Sequence, residues 1–197
     1  MSSEIPFKPI TSVATEALNA VVKKRTFAEV VKTTLVCACL GPSKRNKAYA
    51  LREGYKKHIQ NKGHIALMPE EITQEEASLC FENFKIPEDS RKAILRDNNL
   101  LSEIIIINSD LIFILCEGEG PFIELGKYVI KAPFKVRVLL HEDKYFSETQ
   151  LGIEIKSLQD MNPDCLITYK GELDLYDHID RCIEVGLRNK MRIGLNG

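Results

Sequence analysis

Residues 108–129 read NSDLIFILCEGEGPFIELGKYV, and the order of elements in this stretch decides the fold. Its apolar run is short and rich in β-branched and aromatic residues, which predicts a buried strand over 110–116. An acidic, glycine-bearing turn follows. FIELGKYVIK (122–131) then reads as a helix, stopped near Ala132-Pro133 because the residue before a proline avoids helical geometry. A carboxylate, Glu124, stands just inside that helix, close to Glu117 and Glu119.

The same alternation runs outward in both directions. TTLVCACL (33–40), HIALMP (64–69), FKVRVLLH (134–141) and DCLITY (164–169) are the other strand candidates. Helices are predicted over 48–63, 73–84, 87–107, 147–161 and 172–191. The end of 87–107, IIII, is ambiguous between helix and strand by pattern. Thr73-x-x-Glu76 is a capping box and Gly63 a C-terminal cap. Four of the five strands are nearly continuous apolar runs, the mark of a parallel sheet covered on both faces. The expected fold class is therefore α/β: a five-stranded, doubly wound parallel sheet of Rossmann-like or flavodoxin-like type, order 2-1-3-4-5. Residues 1–32 carry a helical pattern (Val13, Ala17, Leu18, Val21, Val22) and form an expected amino-terminal helical extension. Residues 33–197 form the α/β domain.

The chain has 197 residues, 44% hydrophobic and 28% charged, with a net charge of −1. That balance argues against electrostatic attachment to nucleic acid or anionic lipid. No apolar run approaches the roughly 18 residues of a membrane span. The first 25 residues lack the apolar core of a signal peptide, so a cytoplasmic location is expected. The six cysteines mostly sit in apolar runs and read as buried thiols. Cys37 and Cys39 share a strand face, but no second ligand pair accompanies them at zinc-site spacing, so neither metal nor cofactor is expected.

Ligands of such sheets bind outside the carboxyl ends of the strands, where the strand order reverses. In a 2-1-3-4-5 order that point lies between the first and third strands, at the loops GPSKRN (41–46) and EGEGPF (117–122). The first offers Gly41, Pro42, Ser43, Lys44, Arg45 and a helix start suited to phosphate. The second offers Glu117, Gly118, Glu119 and Gly120, with Glu124 beyond. In the first turn or so of its helix, Glu124 would be kept charged by the dipole, as a nucleophile or general base. Glu70 and Glu71 end the second strand at the same edge and could meet ligand hydroxyls. Asp110 precedes the third strand, as a plain turn residue or pointing into the crevice. His141 ends the fourth strand, whereas His58 and His178 lie on helices and read as surface residues.

Four pieces together resemble the nucleoside 2-deoxyribosyltransferase-like group, which includes nucleotide N-glycoside hydrolases. They are LVCACLGP, RNKAYALREGYKKHIQNKGHIALMPEE, NSDLIFIL and GPFIELGKYVIKAPFKV, spanning roughly 33–145. The chain departs from the group at Pro121-Phe122, and at Cys37 and Cys39, where an aromatic residue is usual. The resemblance implies that Glu124 is the nucleophile toward the anomeric carbon of a nucleoside or nucleoside 5′-monophosphate. It implies that Asp110 protonates the leaving base or positions the substrate; the two loops and the end of the second strand supply the expected substrate contacts, Gly41, Pro42, Ser43, Arg45, Glu70, Glu117, Gly118, Glu119 and Gly120. It also implies a homodimer or larger homo-oligomer. The same stretch is similar to TIR-like NAD glycohydrolases, which use a Glu on the helix after the third strand. A non-catalytic nucleotide-binding sensor is the reading from another class.

Overall fold

A computed structural model describes residues 34–117, 120–144 and 150–195. The expected helices of residues 10–32 lie outside them. Five strands, β1 (Val36–Leu40), β2 (Ile65–Leu67), β3 (Leu111–Leu115), β4 (Val136–His141) and β5 (Leu166–Tyr169), form one sheet in the order β2-β1-β3-β4-β5. Every pairing is parallel. The expected α/β topology is the observed one.

Seven helices are described: α1 (Tyr49–Asn61), α2 (Gln74–Asn83), α3 (Glu88–Ile94), α4 (Asn98–Asn108), α5 (Gly120–Lys131), α6 (Gln150–Met161) and α7 (Glu172–Leu195). Strand periodicity divides the core. Cys37, Cys39, Phe113 and Leu139 face α1 and α7, where Tyr55, Ile59, Ile179 and Ile183 meet them. Leu40, Ile114, Val138 and Leu140 face α5 and α6, meeting Leu125, Tyr128, Ile155 and Leu158. A third cluster packs α2, α3 and α4 onto Val36 and Leu67. Each fully buried Leu, Ile or Phe contributes about 1.5–3 kcal/mol.

Local signals act where the sequence places them. Thr73 and Glu76 close a reciprocal capping box at the start of α2. Gly63 takes φ +84° and donates to Gln60 O, ending α1. Residues 87–107 differ from expectation. They form two helices, because the Asp97 carboxylate accepts from the N–H groups of Asn99 and Leu100 and starts α4 anew. The ambiguous IIII is helical, with Ile105 and Ile106 buried.

Candidate active site

The carboxyl ends of β1, β2 and β3 open into a cleft of about 370 Å³. Gly41, Pro42, Ser43 and Asn46 line it from the β1 side, Glu70 from beyond β2, and Glu117, Pro121 and Glu124 from beyond β3. Among the described residues three carboxylates, one from beyond β2 and two from the segment after β3, thus meet at the switch point of the sheet.

Gly41 makes the meeting possible. Its φ is +142°, a region that residues with a side chain rarely adopt, and an added Cβ would stand 3.0 Å from the Cβ and carbonyl oxygen of Leu115. The chain leaving β1 therefore runs against the end of β3. It brings its own N–H to the Glu124 carboxylate.

The three carboxylates differ in what holds them. Glu70 is gripped by the guanidinium of Arg52, through Nη1 and, at 2.8 Å, through Nη2. Arg52 is 1% exposed. It also donates through Nε to Cys39 O at 2.9 Å and through Nη1 to the carbonyls of Gly41 and Pro42, each at 3.2 Å. One planar fork thus ties together the end of β1, its loop and the loop after β2. Glu117 is buried, pairs with Lys144, and accepts from the Tyr169 hydroxyl at 3.0 Å. Its main-chain carbonyl accepts from Asn46 Nδ2 at 3.2 Å. The Tyr169 phenol is pushed up by burial and then by the Glu117 charge, so it stays a proton donor.

Glu124 is the exception. Its Oε2 is buried and has no hydrogen-bond partner among the described residues. Burial pushes its carboxyl up from 4.5 to about 7. Arg52 pulls it down, Glu70 pushes it up, and the Gly41 N–H and Lys127 pull it down. The expectation of a dipole-stabilised carboxylate is corrected on one point. Glu124 is the fifth residue of α5, whose first turn holds no acid, so the helix terminus acts weakly and burial dominates.

Other expected site residues divide. Gly41, Pro42, Ser43, Glu70, Glu117 and Glu124 line the cleft. Gly120 opens α5, and Gly118 and Glu119 lie outside the described residues. Arg45 is exposed and does not line the cleft. Lys44 pairs with Glu71 at 2.7 Å, and Tyr49 donates to Glu71 as well, so neither Lys44 nor Glu71 reaches into the cleft. His141 packs edge-on against Tyr169, beyond the lining.

Asp110 requires a correction. Its Oδ2 accepts from Val36 N at 2.9 Å and pairs with Lys190 at 2.8 Å, stitching α7 to the amino edge of the sheet. The length of β3, about 16 Å, separates it from the cleft. An acid at that edge cannot protonate a base bound at the other. Asn46 and Pro121, inside the two expected loops, also line the cleft, and Arg52, behind it, stands outside the expected set. Arg52 had left a signal, since it shares a helical face with Tyr55 and Ile59, and a cation on an apolar stripe needs a partner.

Among the described residues no helix is long and apolar enough to cross a membrane. No protein-family model matches the chain, and no curated protein matches it.

Proposed function

We propose that this chain cleaves, or transfers across, the N-glycosidic bond of a nucleoside or nucleoside 5′-monophosphate, with Glu124 as nucleophile. One observation carries the reading. Of the three carboxylates that line the cleft among the described residues, two are occupied by cations, and Glu124 keeps a buried oxygen without a partner.

In the first step the Glu124 carboxylate bonds to the anomeric carbon. The C–N electron pair leaves with the base, which takes a proton from water admitted by the open cleft. Positive charge grows on the sugar as that bond breaks. A desolvated carboxylate flanked by Glu70 and Glu117 stabilises such charge more than it stabilises a neutral ground state. Water, or a second base, then adds to the anomeric carbon and frees Glu124. Asp110 has no part in this scheme. The exposed apolar residues Ile123 and Ile130, on one face of the helix that carries Glu124, support the expectation of a homo-oligomer, which light scattering tests.

The test is release of free base from a panel of nucleosides, nucleoside monophosphates and NAD. Wild type should release base from one substrate class, and Glu124→Gln should lose about 10³-fold or more in kcat. The wild-type rate should rise with pH through about 7 as the nucleophile loses its proton. Release from NAD alone would favour a TIR-like glycohydrolase. Nucleotide binding without release by either protein would sink catalysis and leave a sensor.

A further inference from the structure

A second cleft, of about 380 Å³, lies at the opposite edge of the sheet, between the amino end of β5 and the middle of α7. Arg137, Pro163, Asp164, His178, Arg181 and Cys182 are among its lining residues. Arg137 projects from β4 and is 7% exposed. Its Nη1 donates to Phe134 O at 3.1 Å and to Val136 O at 2.8 Å. The Cys182 thiol is its other hydrogen-bonding neighbour.

A guanidinium carries five N–H donors, and these contacts account for at most three. No carboxylate among the described residues forms an ion pair with Arg137, not even Asp164 in the same cleft. A buried cation is ordinarily matched by an anion, because carbonyl dipoles alone do not repay its lost hydration. Arg181, exposed on α7, spends its Nε on Asp177 O at 3.3 Å and can turn its fork toward the same space. His178 adds charge when protonated, although Asp174 stands 3.5 Å from it. Asp164 opposes a bare anion but can accept from a protonated oxygen on the ligand.

We infer that this cleft binds a compact oxyanion, phosphate or carboxylate, held by the guanidiniums of Arg137 and Arg181. The cleft's volume suits a small metabolite. Planar guanidinium forks match both oxyanion geometries bidentately. Asp164 favours a ligand that carries a hydroxyl or a protonated phosphate oxygen.

Amide NMR titrations of the full chain with sodium phosphate and with sodium acetate, against sodium chloride at matched ionic strength, test the inference. Ile167, Cys182 and Val185 should shift with one of the oxyanions and not with chloride, and the anion that works identifies the source. Gly41 and Glu124 should stay in place, which separates this site from the acidic cleft. Arg181→Ala should weaken binding about fivefold or more, and Arg137→Lys about tenfold, because an ammonium cannot reproduce the fork. Should Arg137→Lys fail to fold, Arg181→Ala decides alone. An equal response to chloride, or affinity unchanged in Arg181→Ala, would overturn the inference.

Discussion

Two carboxylates flank β3, and the chain treats them oppositely. Asp110, just before the strand, meets a backbone N–H and an ammonium, and both contacts join elements of the fold. Glu124, past the other end, has a buried oxygen with no partner among the described residues and a carboxyl pushed up to about 7. The first is satisfied, so removing it should loosen the protein. The second is held in an unfavourable state by its surroundings, so removing it should relieve the protein and cost only chemistry. Local discomfort of this kind, maintained by well-packed neighbours, is the pattern that functional sites share, and it supports the proposal for Glu124.

That contrast can be broken most sharply through Arg52, which lies behind the end that carries Glu124. Arg52→Met strands Glu70 and three main-chain carbonyls, and should destabilise by about 3–5 kcal/mol in urea unfolding. It should also raise the carboxyl of Glu124 further, since Arg52 is the largest influence holding it down. Arg52→Lys should recover little, because an ammonium cannot span the same acceptors.

Gly41→Ala strains the same end through the backbone. The positive φ and the contacts with Leu115 predict a loss of about 2–3 kcal/mol, visible as a lower melting temperature. A smaller loss would mean that the β1–β3 approach is looser than its geometry indicates.

Glu124→Gln should do the reverse. Unfolded, Glu124 gives up its proton near pH 4.5, while the folded protein keeps it to about pH 7. The native state therefore binds more protons across that window, and its stability falls as pH rises from about 4.5 to 7. The glutamine variant lacks this loss. It should match wild type near pH 4 and exceed it by about 2 kcal/mol at pH 8, a figure reduced for the side chain's partial exposure. Equal stabilities at pH 8 would show that Glu124 is not under strain.

The smallest effect belongs to Asp110. Asp110→Asn keeps an acceptor for Val36 N and loses the partly exposed pairing with Lys190, so about 1 kcal/mol should be lost. Base release should stay within about twofold of wild type. A large fall in kcat at unchanged stability would return Asp110 to the reaction.

Much of this was legible in the residues. Nearly continuous apolar strands, turn chemistry and the alternation of strands with helices specify a doubly wound sheet, and that topology alone locates the ligand edge. The capping signals at Thr73 and Gly63 are local, so they act as the sequence places them. Glu124 was found because it follows a strand's carboxyl end. The same rule, applied strictly, excludes Asp110, since the residue before a parallel strand lies at the opposite edge.

What only the tertiary structure decided is which carboxylate keeps a buried oxygen without a partner among the described residues. Arg52 lies on α1, Glu70 beyond β2, Lys144 beyond β4 and Tyr169 at the end of β5. Their pairing with Glu70 and Glu117 depends on contacts between segments far apart in sequence. Periodicity reports the face a residue occupies, because that is set by its immediate neighbours along the chain. Partnership and burial of charge are set by side chains arriving from elsewhere, and they exist only once the chain has folded.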